Sequence, residues 1–128
     1  MAEANKHEKF SKWIKEQIEK AGNLRKASRD AGLVHGTLIR AMAGEDLSLN
    51  TLEAIAKWTG VPLSNVLDIY AGTEAPGREV ELELVFLFGK YPELRGVLEV
   101  AVENLDAEGL RDVMRYIEFQ AQKRREQR

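Results

Sequence analysis

Two histidines, His7 and His35, are the side chains best suited to moving protons near neutral pH. Neither lies near an acid/base constellation or a nucleophile motif, and the chain has no Gly-rich phosphate loop and no HExxH-type metal spacing. The absence of cysteine excludes disulfides and cysteine-ligated zinc. Glu79, Glu81 and Glu83 have the look of a metal cluster, but acids on a solvated face or near the positive end of a helix account for them better. The expectation is therefore no enzyme, no metal and no cofactor. The side chains point to recognition rather than bond-making.

Charge is distributed unevenly. The whole chain of 128 residues has a formal charge of −2, yet residues 1–44 hold nine Lys/Arg against five Asp/Glu, a local +4, and residues 45–128 hold ten against sixteen, a local −6. A basic excess confined to one part is the footprint of a surface that meets phosphate on one face. Hydrophobic content of 44% allows a true core. The longest nearly uncharged apolar run, Leu84 to Gly89, is too short to span a bilayer, and the polar start MAEANKHEKF lacks the apolar core of a signal peptide. No membrane association and a cytoplasmic location are the default expectations.

The elements that must position the basic part centre on NLRKASRDAGLVHGTLIRAMAG, Asn23 to Gly44. Leu24, Ala27, Ser28 and Ala31 fall at the i, i+3, i+4, i+7 spacing of one helix face. A second helix runs from about His35 to Ala43 with Leu38, Ala41 and Met42 inward. Asn23 is a good N-cap, and Gly32 and Gly44 supply left-handed turns. Small residues at Ser28 and Ala31 let the second helix cross the first closely. This is a helix-turn-helix unit, whose second helix presents its N-terminal residues outward in the geometry of the DNA major groove.

LRKASRDAGLVHGTLIRAMAG resembles the helix-turn-helix of the phage Cro/repressor-like (Xre-type) family of transcriptional regulators, and LSLNTLEAIAKWTGVPLSNVL is similar to that family's last two helices. The resemblance covers roughly Phe10 to Tyr70 and implies a sequence-specific DNA-binding domain. It places His35, Gly36 and Arg40 at the family's principal base-reading positions, with Thr37 and Ile39 beside them. Arg40 can donate two hydrogen bonds to guanine O6 and N7, His35 can donate or accept, and Thr37 can offer a hydroxyl or a methyl. Gly36 lets the backbone approach. Phosphate is expected at the start of the first motif helix, on the N–H groups from Asn23 through Leu24 to Arg25, with charge added by Arg25, Lys26 and Arg29. The chain departs from the family pattern at Val34, where Ser or Thr usually caps, and at Glu45 and Asp46 in the following loop.

The rest of the chain reads as helices. Phe10, Trp13, Ile14, Ile18 and Ala21 stripe a helix from about Glu8 to Ala21, after seven loose residues. Ser48 caps a helix bearing Leu49, Leu52, Ile55, Ala56 and Thr59, and Pro62 opens one bearing Leu63, Val66, Leu67 and Tyr70. EVELELVFLF fits a strand by alternation and a helix by Val80, Leu84, Leu87 and Phe88. A helix is favoured because no second strand is available; a strand pairing across a dimer is the competing picture. Gly89 is expected to break the pattern, Pro92 to open a helix with Leu94, Val97, Leu98, Ala101 and Val102, and Asp106 to cap a last one with Leu110, Val113, Met114, Ile117 and Ala121.

The predicted fold is all-α: a five-helix repressor-like DNA-binding domain (1–72), a linker (73–78) and a helical C-terminal dimerisation or interaction region (79–128). About 50 residues bury a modest core alone, so packing against a second copy is expected. The functional expectation is a regulator, most simply a repressor, binding double-stranded DNA at a pseudo-palindromic operator as a homodimer through residues 79–122. The alternative is an antitoxin-like or adaptor protein whose C-terminal region binds another protein, with DNA binding secondary or lost.

Overall fold

A computed structural model describes residues 7–72 and 84–126. The described residues form eight helices and no strand: α1 (Glu8–Ala21), α2 (Leu24–Ala31), α3 (His35–Met42), α4 (Leu49–Thr59), α5 (Leu63–Tyr70), α6 (Leu84–Lys90), α7 (Pro92–Asn104) and α8 (Ala107–Glu126). The chain is all-α. None of these helices is long and apolar enough to cross a membrane.

Local chemistry sets the boundaries. Asn23 Oδ1 accepts from the Lys26 N–H at 2.8 Å, Ser48 Oγ from the Thr51 N–H at 3.2 Å, and Asp106 Oδ1 from the Gly109 N–H at 2.8 Å. Each satisfies a helix-start donor that has no partner within its own helix. At Gly32 the backbone turns left-handed, φ 67°, while the Leu33 N–H returns to the Ser28 carbonyl at 3.0 Å. That closure turns the chain between α2 and α3 within three residues.

The apolar stripes meet in one core. Phe10, Ile14 and Ile18 of α1, Ala27 of α2, Leu38 and Ala41 of α3, Leu52 and Ile55 of α4, and Val66, Leu67 and Tyr70 of α5 are all buried. Leu84, Leu98, Ala101, Val102, Leu110, Met114 and Ile117 extend the same cluster. Thus α7 packs on α4, and α6 and α8 pack on α5. The C-terminal helices were expected to find their missing core in a second copy. They find much of it in their own chain, because α4 and α5 have a second apolar face to offer.

Arg95 marks this junction. From α7 its guanidinium reaches Glu53 of α4 at 2.6 Å, Glu99 at 3.1 Å and the side-chain oxygen of Asn50. The hydrogen bond and charge of Glu53, then Glu99, hold Arg95 above the ordinary arginine value.

Two expectations need correction. Residues 84–88 are helical, and the helix runs through Gly89 to Lys90, so the break comes at Tyr91; residues 79–83 lie outside the described residues. His7, expected to be loose, is only 9% exposed and fixed by hydrogen bonds.

Candidate nucleic-acid interface

Helix α3 is held from beneath. Leu38 and Ala41 are buried against α1 and α2, and Ser11 Oγ of α1 donates to the Met42 carbonyl. That leaves His35, Gly36, Ile39 and Arg40 exposed on the opposite side. Thr37 is half-buried, so its methyl and hydroxyl are less available than its neighbours. Ile39 is 48% exposed in the middle of the helix, an apolar group with no place in the core. HGTLIRAM contains no carboxylate, so the exposed face of α3 bears hydrogen-bonding, apolar and cationic groups only.

Helix α2 lies directly against α3. Its first bonded N–H groups are those of Lys26, to Asn23 Oδ1, and Ala27, to the Asn23 carbonyl at 3.0 Å. The Leu24 and Arg25 amides come before them, at the positive end of the helix dipole. The Asn23 side chain is committed to the cap, and Leu24 turns its side chain partly inward, so these two residues offer backbone only. Arg25, Lys26 and Arg29 are exposed.

Val34 precedes α3 with no side-chain cap and is 72% exposed. The Thr37 N–H closes on the Val34 carbonyl at 3.0 Å, and the earlier amides of α3 keep their donors for an outside acceptor.

The loop after α3 contains what sequence reasoning missed. Gly44 takes φ 74°, and the Glu45 N–H returns to the Arg40 carbonyl at 3.1 Å, which swings the chain back over the end of α3. The Asp46 carbonyl then accepts from Arg40 Nη2 at 2.9 Å. The Asp46 carboxylate lies 3.0 Å from His7 Nε2, while His7 Nδ1 lies 2.7 Å from the Tyr70 carbonyl and the His7 N–H donates to the Gly44 carbonyl at 3.2 Å. The imidazole stacks on the Tyr70 ring at 3.8 Å and 14°. The Tyr70 hydroxyl in turn accepts the Leu47 N–H at 2.9 Å. Burial pushes the Tyr70 phenol above its ordinary value; the Asp46 charge adds to this, while the Leu47 amide and Arg40 pull the other way. Arg40 is therefore exposed but not loose.

His7 lies 39 positions from Asp46 and 63 from Tyr70, and no local pattern announces the group. Comparison with family models, with curated proteins and with solved structures finds no match to this chain.

Proposed function

We propose that this chain is a sequence-specific DNA-binding regulator, most simply a repressor, of the Cro/repressor-like helix-turn-helix type, acting as a homodimer on a pseudo-palindromic operator. The observation that carries this reading is the outer face of α3, where His35, Gly36, Ile39 and Arg40 are exposed with no acidic side chain on the helix. A helix so presented, beside the cationic start of α2, suits the major groove with phosphates on either side. One such helix covers only a few base pairs, and two-fold pairing at half-sites about 34 Å apart is the usual remedy. The surface for that pairing is on α6–α8, within residues 79–122. Phe86, Val97, Val100, Tyr116 and Phe119 are each more than half exposed there, and exposed apolar groups in such number mark a contact surface.

Gel-shift titration against duplexes selected from a random pool tests the reading. Arg40→Ala should lose about 1–3 kcal/mol and relax preference at one base pair. Unchanged affinity and specificity would remove Arg40 from the site.

The same exposed residues favour a second reading, in which the C-terminal region binds another protein, as in antitoxins and adaptors, and DNA binding is secondary or lost. A groove of about 170 Å³ between α6–α7 and α8, lined by Leu87, Tyr91, Leu94, Tyr116 and Ile117 among others, is where a foreign side chain would enter. Co-purification of an unrelated chain in place of a clean homodimer distinguishes the two.

A further inference from the structure

Both ring nitrogens of His7 face acceptors. A peptide carbonyl has no proton to give, so Nδ1, 2.7 Å from the Tyr70 oxygen, bears one N–H. A carboxylate only accepts, so Nε2, 3.0 Å from Asp46 Oδ1, bears the other. An imidazole donating on both sides is an imidazolium. Its surroundings suit a cation: it sits at the carbonyl end of α5, against the face of the Tyr70 ring. The residue that His7 holds by its carboxylate is the one that holds Arg40 by its carbonyl, at 2.9 Å.

We propose that His7 is a positioning residue for DNA reading: its imidazolium fixes Asp46, and Asp46 fixes the guanidinium of Arg40 beside α3. This rests on the DNA-binding reading above. A guanidinium has five N–H groups, so one anchored N–H leaves four for a base edge. Anchoring also removes beforehand part of the side-chain freedom that a loose arginine surrenders on binding.

When His7 loses a proton and keeps the one on Nδ1, the Nε2 lone pair faces the Asp46 carboxylate. Attraction becomes repulsion, the loop moves away, and Arg40 loses its anchor. Binding therefore weakens as the imidazolium is lost. Among the described residues, the groups around the ring include Asp46 from the α3–α4 loop, Tyr70 from α5, Lys9 of α1 on the Gly72 carbonyl, and Arg40 of α3 beyond Asp46. Burial keeps Tyr70 neutral throughout this range.

His35 is the other of the chain's two histidines and lies on the reading face, so the full chain is tested as His35→Gln on a duplex selected with that variant. Between about pH 5.5 and about pH 7.5, affinity should fall about three- to tenfold, the worth of one hydrogen bond. Discrimination at the base pair that Arg40→Ala relaxes should fall with it. Adding His7→Gln should weaken binding at the acid end and flatten the profile. Because His7 is buried, its replacement is checked for folding by circular dichroism. Asp46→Asn, at an exposed side chain, is the second variant and should flatten the profile as well. A His35→Gln chain that binds its duplex with a flat profile, or a profile that survives both added changes, overturns this proposal and leaves the DNA-binding reading standing. A wild-type chain that binds no duplex overturns both.

Discussion

Tyr70→Phe takes one oxygen from the centre of the molecule and leaves the ring in place. Tyr70 is 2% exposed; its ring stacks on His7 and meets Phe10 edge-on at 5.4 Å. Phenylalanine keeps both contacts, so no cavity opens. What disappears is the acceptor for the Leu47 N–H, and Leu47 is itself only 5% exposed, leaving little room for water to substitute. A buried donor without a partner costs about 1–3 kcal/mol. For a chain between the size classes usually tabulated, 1 kcal/mol corresponds to about 3–6 °C in Tm, so a central loss of about 2 kcal/mol lowers Tm by about 6–12 °C. Thermal and urea unfolding followed by circular dichroism measure this, with Tyr116→Phe, at a residue 63% exposed, as a control expected to stay within about 0.5 kcal/mol. The high-pH limb gives a second reading. Burial raises Tyr70 above the ordinary 10.0, so the folded chain holds the phenolic proton more tightly than the unfolded one. The associated stability is complete below the unfolded value and is lost as pH rises through the folded one. Tyr70→Phe should remove that alkaline loss. Equal melting of Tyr70→Phe and wild type would refute the reasoning.

Other expected outcomes follow from named contacts. Asn23→Ala should lower stability by about 1 kcal/mol through loss of the α2 cap, read by the same unfolding experiments. Arg25→Ala should weaken binding to all duplexes alike and reduce the slope of log affinity against log salt by about 1, measured by fluorescence anisotropy across a salt series. If the chain pairs through α6–α8 as proposed, Phe119→Glu, at a residue 61% exposed, should give a folded monomer in light scattering while circular dichroism stays unchanged.

What the sequence made legible was local. α1 through α5 could be bounded from Gly22, Gly32 and Gly60 and from the caps Asn23 and Ser48, because each acts within about four residues of itself. His35, Gly36, Ile39 and Arg40 were singled out by the resemblance to the Cro/repressor-like helix-turn-helix, and their exposure agrees with Leu38 and Ala41 lying inward. The half-burial of Thr37 was not legible, since it sits at the margin of the stripe. Gly89 was expected to end a helix, but a glycine without positive φ is merely a weak helical residue, and α6 passes through it. The His7–Asp46–Tyr70 group and the Arg95–Glu53 pair join residues tens of positions apart, and their spacing carries no period to detect. The packing of α6–α8 on α4 and α5 escaped notice for a related reason: an apolar stripe says that something must cover it, not what.

If the proposed DNA-binding reading holds, the bridge from Arg95 to Glu53 and Asn50 bears on operator architecture. It makes the C-terminal helices a brace rather than a tether, so two chains joined through α6–α8 would carry their α3 helices at one set separation. Moving one half-site by about 5 base pairs rotates it half a turn around the duplex, to the side away from the second α3. A pair joined by slack chain would reach around; a braced pair cannot. On the proposed DNA-binding reading, which bases are read is a matter for Arg40, and how far apart they must lie is a matter for Arg95.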